Sequence, residues 1–126
     1  MISNESNKIP DFSLIPADFP STPNPGSLTG FQAKVLFTEY EGQFYPPGTT
    51  PPERFQRWEI CEDLARQFSE KSLESKAGKR AHMSEQDILQ QYYDRLLTTG
   101  WVAPAEAMWI IQRTAAMISW PQLIIE

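Results

Sequence analysis

Histidine and cysteine are almost absent from this sequence: one of each occurs among its 126 residues. A single cysteine cannot form an internal disulfide, so the chain lacks the cysteine pattern of secreted scaffolds. Zinc sites use several histidine or cysteine ligands, and a serine–histidine–aspartate triad needs its histidine fixed in a packed site. Cys61 falls on an apolar helical stripe and His82 in a polar linking segment, so we expect a buried thiol and a solvated imidazole. We therefore predict a chain that is not an enzyme and has no cofactor.

Basic residues are also scarce, with 11 Lys and Arg against 16 Asp and Glu and a net charge of −5. Nucleic-acid affinity depends on neutralising phosphates with Lys and Arg, so direct binding to nucleic acid is disfavoured. No apolar run approaches the roughly 18 residues that suggest a transmembrane helix, and no basic-then-apolar leader opens the sequence. We predict a cytoplasmic protein that does not act at a membrane and binds another protein, for which a basic partner suits the charge.

Proline is concentrated in the first half of the sequence, and its density is highest in a segment with few apolar residues. Proline fixes φ and biases the preceding residue toward extended geometry. We predict a proline-rich extended or disordered arm over residues 1–29 and a single globular domain over residues 30–126. Phe12 and Phe19 would anchor the arm, either on a partner or across the domain itself.

A β-hairpin is predicted after the arm. Residues 34–38 are rich in β-forming side chains, Glu41-Gly42 offers a turn with positive φ, and residues 43–45 resume the strand. An isolated hairpin is marginally stable in water, so we expect this one to lie against helices. The apolar residues 123–125 either add a strand to the hairpin or form an exposed apolar terminus.

Three helices are predicted from their end signals. Thr50 and Glu53 form a capping box at the start of the first helix. Ser84 begins the second helix, Gly100 ends it, and Pro104 begins the third. The third helix is apolar on nearly every side, which is typical of a central helix or an interface. The predicted fold class is α+β, mainly helical, with a small β-hairpin packed on a three-helix cluster.

Residues 26–36 resemble the glycine-containing, phosphate-covering loop of HipA-type serine/threonine kinases, which reads roughly Ser-Leu-x-Gly-x-Gln-x-Lys. The resemblance continues weakly through residues 44–50 to a helix containing Glu59, Cys61 and the Leu64-Ala65 pair. It implies an alternative function as a nucleotide- or phosphate-binding module, and it assigns three residues to the phosphate: Gly30, Gln32 and Lys34.

The sequence departs from that family where phosphotransfer would need it most. Residues 51–54 read Pro-Pro-Glu-Arg at the place of the segment that carries the ATP-contacting lysine. The family's catalytic aspartate and metal-binding segment have no counterpart. Phosphoryl transfer depends on positioning and on metal-borne charge, so the resemblance does not imply kinase activity here.

Glu59, Glu62 and Asp63 share one flank of the first helix by their spacing. They could hold a divalent cation as a small enzyme would, but Arg66 follows Glu62 by four residues, and a solvated salt-bridged face accounts for them without a function. As a contact surface for a basic partner they are more plausible than as a metal site. Trp101 follows a helix stop and is the tryptophan that we expect to be least committed to the core.

The leading hypothesis is therefore a non-enzymatic protein-binding protein, such as an immunity protein, an antitoxin or an inhibitor that neutralises its partner. Tryptophan is a typical interface anchor, which makes Trp101 part of the predicted surface. The other predicted partner-binding residues are Glu59, Glu62, Asp63, Phe12 and Phe19.

Overall fold

The computed structural model describes residues 10–21 and 37–125. A 3₁₀ turn at Phe12–Leu14 precedes two strands and three helices. They are β1 (Thr38–Tyr40), β2 (Gln43–Tyr45), α1 (Pro51–Ala77), α2 (Glu85–Thr99) and α3 (Pro104–Met117). The predicted α+β, mainly helical fold class is confirmed.

The described residues form two compact units. The first holds residues 10–17, 21 and 37–58, and the second holds residues 18–20 and 59–125. The predicted division into an arm over residues 1–29 and a domain over residues 30–126 stays a prediction, because residues 1–9 and 22–36 lie outside the described residues.

The β-hairpin of the first unit pairs its strands antiparallel, with Thr38 opposite Tyr45 and Tyr40 opposite Gln43. Glu41 and Gly42 connect the strands with φ of 49° and 81°. Two successive positive φ angles are typical of a type I′ turn, whose twist matches that of the paired strands. The predicted turn is confirmed, whereas residues 34–36 of the predicted first strand lie outside the described residues.

Aromatic rings link the hairpin to the first turns of α1 within the same unit. The Phe12 ring meets the Tyr40 ring edge-on, with 6.3 Å between centroids. It also meets the Phe55 ring at 6.0 Å, and Phe55 packs against Trp58 at 5.4 Å. Edge-to-face pairs of this kind contribute on the order of 1 kcal/mol each beyond their buried area.

The start of α1 has the predicted capping box. The Glu53 amide donates to Thr50 Oγ1 at 3.4 Å, and the Thr50 amide donates to Glu53 Oε1 at 3.2 Å. The Thr50 hydroxyl also donates to Glu53 Oε1 at 2.6 Å. Two backbone donors that the helix itself cannot satisfy are thereby paired.

The core of the second unit is built around α3, as its apolar circumference predicts. Its buried residues are Glu106, Ala107, Trp109, Ile110, Ile111, Thr114 and Ala115. The buried residues of α1 are all small: Cys61, Ala65, Ser69 and Ser72. Small side chains let two helices approach closely, and the Thr114 hydroxyl lies 3.4 Å from the carbonyl oxygen of Ala65. The apolar face of α2 forms the remaining side of this core.

The residues after α3 fold back onto α2 and α3 through two glutamine side chains. Gln112 donates to the carbonyl of Leu123 at 3.0 Å and accepts from its amide at 2.9 Å. Gln86 donates to the carbonyl of Gln122 at 2.8 Å and accepts from the amide of Ile124 at 2.9 Å. Residues 121–125 form no strand, and the buried Leu123 side chain holds a tail whose Ile124 is 69% exposed.

Ser72 supplies a test of this packing. Its hydroxyl is fully buried and has no hydrogen-bond partner among the described residues. An unpaired buried polar group costs about 1–3 kcal/mol. We therefore expect Ser72→Ala to raise the free energy of unfolding by about 1 kcal/mol, measured by urea denaturation.

Ser69→Ala is the matched control, because the Ser69 hydroxyl donates to the Arg66 carbonyl at 2.7 Å from the same helix. Both changes gain the same helix propensity, so their difference isolates the hydroxyl group. Equal effects of the two substitutions would contradict the assignment of Ser72 as unpaired.

Candidate functional site

The predicted acidic flank is largely neutralised by the chain's own arginines. Glu62 accepts from Arg113 Nε at 3.1 Å and from its Nη2 at 3.0 Å. Asp63 accepts from Arg66 Nη2 at 2.7 Å, while Glu59 is exposed. Arg66 thus pairs with Asp63 and not with Glu62, because α3 brings Arg113 to Glu62. These pairs reduce the negative charge that the flank offers to a partner.

The Glu62–Arg113 pair joins α1 to α3 in the second unit. The hydrogen bonds that Arg113 donates to Glu62 raise the pKa of Arg113, burial opposes this, and the charges of Glu62 and Asp18 raise it further. Bidentate arginine–carboxylate pairs fix geometry as well as adding energy. Among the described residues, no group of three or more His, Cys, Asp or Glu side chains is placed to hold a metal ion.

Phe19 lies in the core of the second unit and not on a surface. It is 3% exposed, and its ring meets the Trp109 ring at 90° with 5.1 Å between centroids. Beside it, Asp18 accepts a hydrogen bond from Trp109 Nε1 at 3.1 Å. The prediction of Phe19 as an anchor on a partner is therefore corrected. An aromatic residue in a polar arm gives the same sequence pattern whether it docks on its own chain or on another.

Phe12, which is also predicted to bind the partner, lies in the first unit, where it is half-buried among aromatic rings. Gly30, Gln32 and Lys34 lie outside the described residues, so phosphate binding by this loop stays a prediction.

A groove of about 260 Å³ runs between α1 and α2 in the second unit. Its apolar lining comes from Leu64 and Phe68 of α1 and from Tyr92 and Leu96 of α2. The Phe68 and Tyr92 rings pack together with 5.1 Å between centroids. Trp101 lines the groove as well, just beyond the end of α2.

Gly100 positions Trp101 at this groove. Its φ of 74° lies in the left-handed region that ends helices, and it terminates α2 as predicted. The Trp101 amide then donates to Thr99 Oγ1 at 3.1 Å. Trp101 is 64% exposed, whereas the other tryptophans are buried or half-buried. The expectation that Trp101 is the tryptophan least committed to the core is confirmed.

The groove has a charge opposite to that of the whole chain. Its charged lining residues are Lys71 and Arg95, and both are exposed. The Arg95 guanidinium lies 5.8 Å from the centroid of the Tyr92 ring, within the range of a cation–π contact. This groove is not evident from the sequence, because Leu64 and Phe68 share the apolar helical stripe of Cys61, and such a stripe is expected to face the core. The sequence signal that could have indicated the groove is the spacing of Leu64 and Lys71. They are seven residues apart, which places both on one helix face.

No family model, curated protein or solved structure matches this chain. In the part of the chain that the structure describes, no helix combines the length and the apolar character needed to cross a membrane.

Proposed function

We propose that this chain is a non-enzymatic protein-binding protein and that it docks a segment of its partner in the groove of Trp101. The observation that carries the proposal is a tryptophan that is 64% exposed beside an apolar groove. Tryptophan is enriched among the few residues that dominate binding energy at interfaces, because it offers a large rigid surface with little entropy to lose.

The size of the groove favours a side chain over a small molecule. Pockets for small molecules and cofactors typically enclose about 300–1,000 Å³. At about 260 Å³ the groove is below that range. A single anchoring side chain from a protein segment is the occupant that fits this volume.

The reactive side chains of the second unit support a role without catalysis. Cys61 is fully buried in the helix interface, where a thiol behaves as a small apolar group. Glu62 is held in the pair with Arg113. Binding without catalysis is how immunity proteins, antitoxins and inhibitors neutralise their partners, and we propose a role of this kind.

Selection from a random peptide library displayed on phage tests the proposal. The immobilised wild-type chain should enrich peptides that the Trp101→Ala variant does not retain. Ile124→Ala is the matched control, since it removes an equally exposed apolar side chain outside the groove. If every enriched peptide binds the Trp101→Ala variant as well as it binds the wild type, the groove is not the binding site.

A further inference from the structure

The charged residues at the groove indicate the chemistry of its partner. Lys71 and Arg95 contribute the charge of the lining, and both are cationic. The nearby Asp63 is already paired with Arg66 at 2.7 Å and accepts from Gln67 at 2.8 Å. The charged side chains that line the groove are thus positive on a chain whose net charge is −5. At contact distance, local charges matter more than the net charge, because salt screens over about 8–10 Å.

The spacing of the residues along the groove sets a second requirement for the partner. Leu64 and Trp101 line it together, and Lys71 follows Leu64 by seven residues of α1. Seven residues rise about 10 Å in an α-helix. A partner's apolar side chain against Leu64 and its carboxylate against Lys71 therefore have to lie about two helical turns apart, on the same face of the partner.

The walls of the groove favour a helical partner. Both long walls are α-helices, whose backbone donors and acceptors are already paired along most of their length. An extended peptide needs backbone partners, as it finds at an exposed sheet edge, whereas a helix satisfies its own. Side chains of a third helix also pack naturally between the ridges of two others.

We infer that the segment docked in this groove is an acidic amphipathic helix of a partner protein. Its apolar side chain occupies the Trp101 end, and its carboxylates face Lys71 and Arg95. This inference rests on the proposed function and specifies the partner at the same site. It differs from the basic partner that the net charge favours.

A repeat of the phage selection with a charge-reversed groove tests the inference. The wild-type chain should enrich peptides that combine Asp or Glu with aromatic or aliphatic residues. The Lys71→Glu/Arg95→Glu variant should lose at least about tenfold affinity for those peptides, because like charges in contact are strongly unfavourable. It should enrich Lys- and Arg-containing peptides instead. Lys71→Gln/Arg95→Gln should lose the acidic preference without gaining a basic one.

The matched control is Gln56→Glu/Lys79→Glu/Gln122→Glu, which makes the same change in net charge at exposed positions that do not line the groove. It should keep the wild-type preference. Far-UV circular dichroism melts verify that each variant is folded. A proline placed in the middle of an enriched peptide should abolish binding if the bound form is helical, and unchanged binding would overturn the helical assignment.

The outcomes separate the inference from the proposed function. Trp101-dependent enrichment of neutral or basic peptides by the wild type would overturn the acidic partner and leave the proposed function standing. The same loss of affinity in the control variant would show that net charge, and not the groove, selects the peptide. No Trp101-dependent enrichment would overturn the proposed function and the inference with it.

Discussion

Trp109→Ala is expected to lower the free energy of unfolding by about 3–5 kcal/mol, the usual cost of truncating a buried tryptophan. Trp109 is 7% exposed in α3, packs against Phe19 and donates to Asp18. Its removal leaves a cavity in the core and also releases residues 18–20. Since small domains are stable by only about 5–15 kcal/mol, this change should shift the denaturation midpoint strongly.

Chemical denaturation followed by far-UV circular dichroism measures this loss. Trp109→Phe is the matched variant: it keeps an aromatic ring in the core and removes the bond to Asp18, so it should cost less than Trp109→Ala. Phe19→Ala should also destabilise the chain markedly, because it empties the opposite side of the same ring pair. A loss below about 1 kcal/mol for Trp109→Ala would contradict burial of this side chain in a packed core.

Trp101→Ala is expected to weaken partner binding by at least about 2 kcal/mol, or roughly 30-fold in Kd, as truncation of an interface anchor does. Its effect on stability should be small, since most of the side chain is already in water. Isothermal titration calorimetry with a peptide enriched on the wild-type chain measures the binding, and chemical denaturation measures the stability.

Ile124→Ala completes this comparison, because Ile124 is exposed to a similar degree on the tail. It should leave the peptide affinity unchanged. A large loss of stability in Trp101→Ala would instead identify Trp101 as a packing residue and remove the main support for the groove as an interface.

Local features of this fold follow from residues close together in sequence. The capping box of Thr50 and Glu53 satisfies α1's first donors with side chains three residues apart. Gly42 and Gly100 occupy positive φ at a hairpin turn and a helix end, where a side chain would be strained. Pro104 begins α3 because the first helical position needs no amide donor.

The partners of side chains at long sequence separation did not follow in this way. Glu62 has a suitable arginine four residues later, yet it pairs with Arg113 because α3 packs beside it. Phe19 has no local feature that distinguishes burial against Trp109 from exposure to a partner. In both cases several pairings are chemically equivalent, and helix packing selects one.

The sequence by itself determined where the three helices begin and where α2 ends, the hairpin turn, the buried cysteine and the unusual position of Trp101, because each depends on backbone geometry or periodicity within a few residues. Only the tertiary structure decided where those elements meet. It formed the groove from Leu64, Tyr92 and Trp101, and it placed Lys71 and Arg95 at this groove. The site is basic on an acidic chain because packing, and not composition, determines which charges lie together.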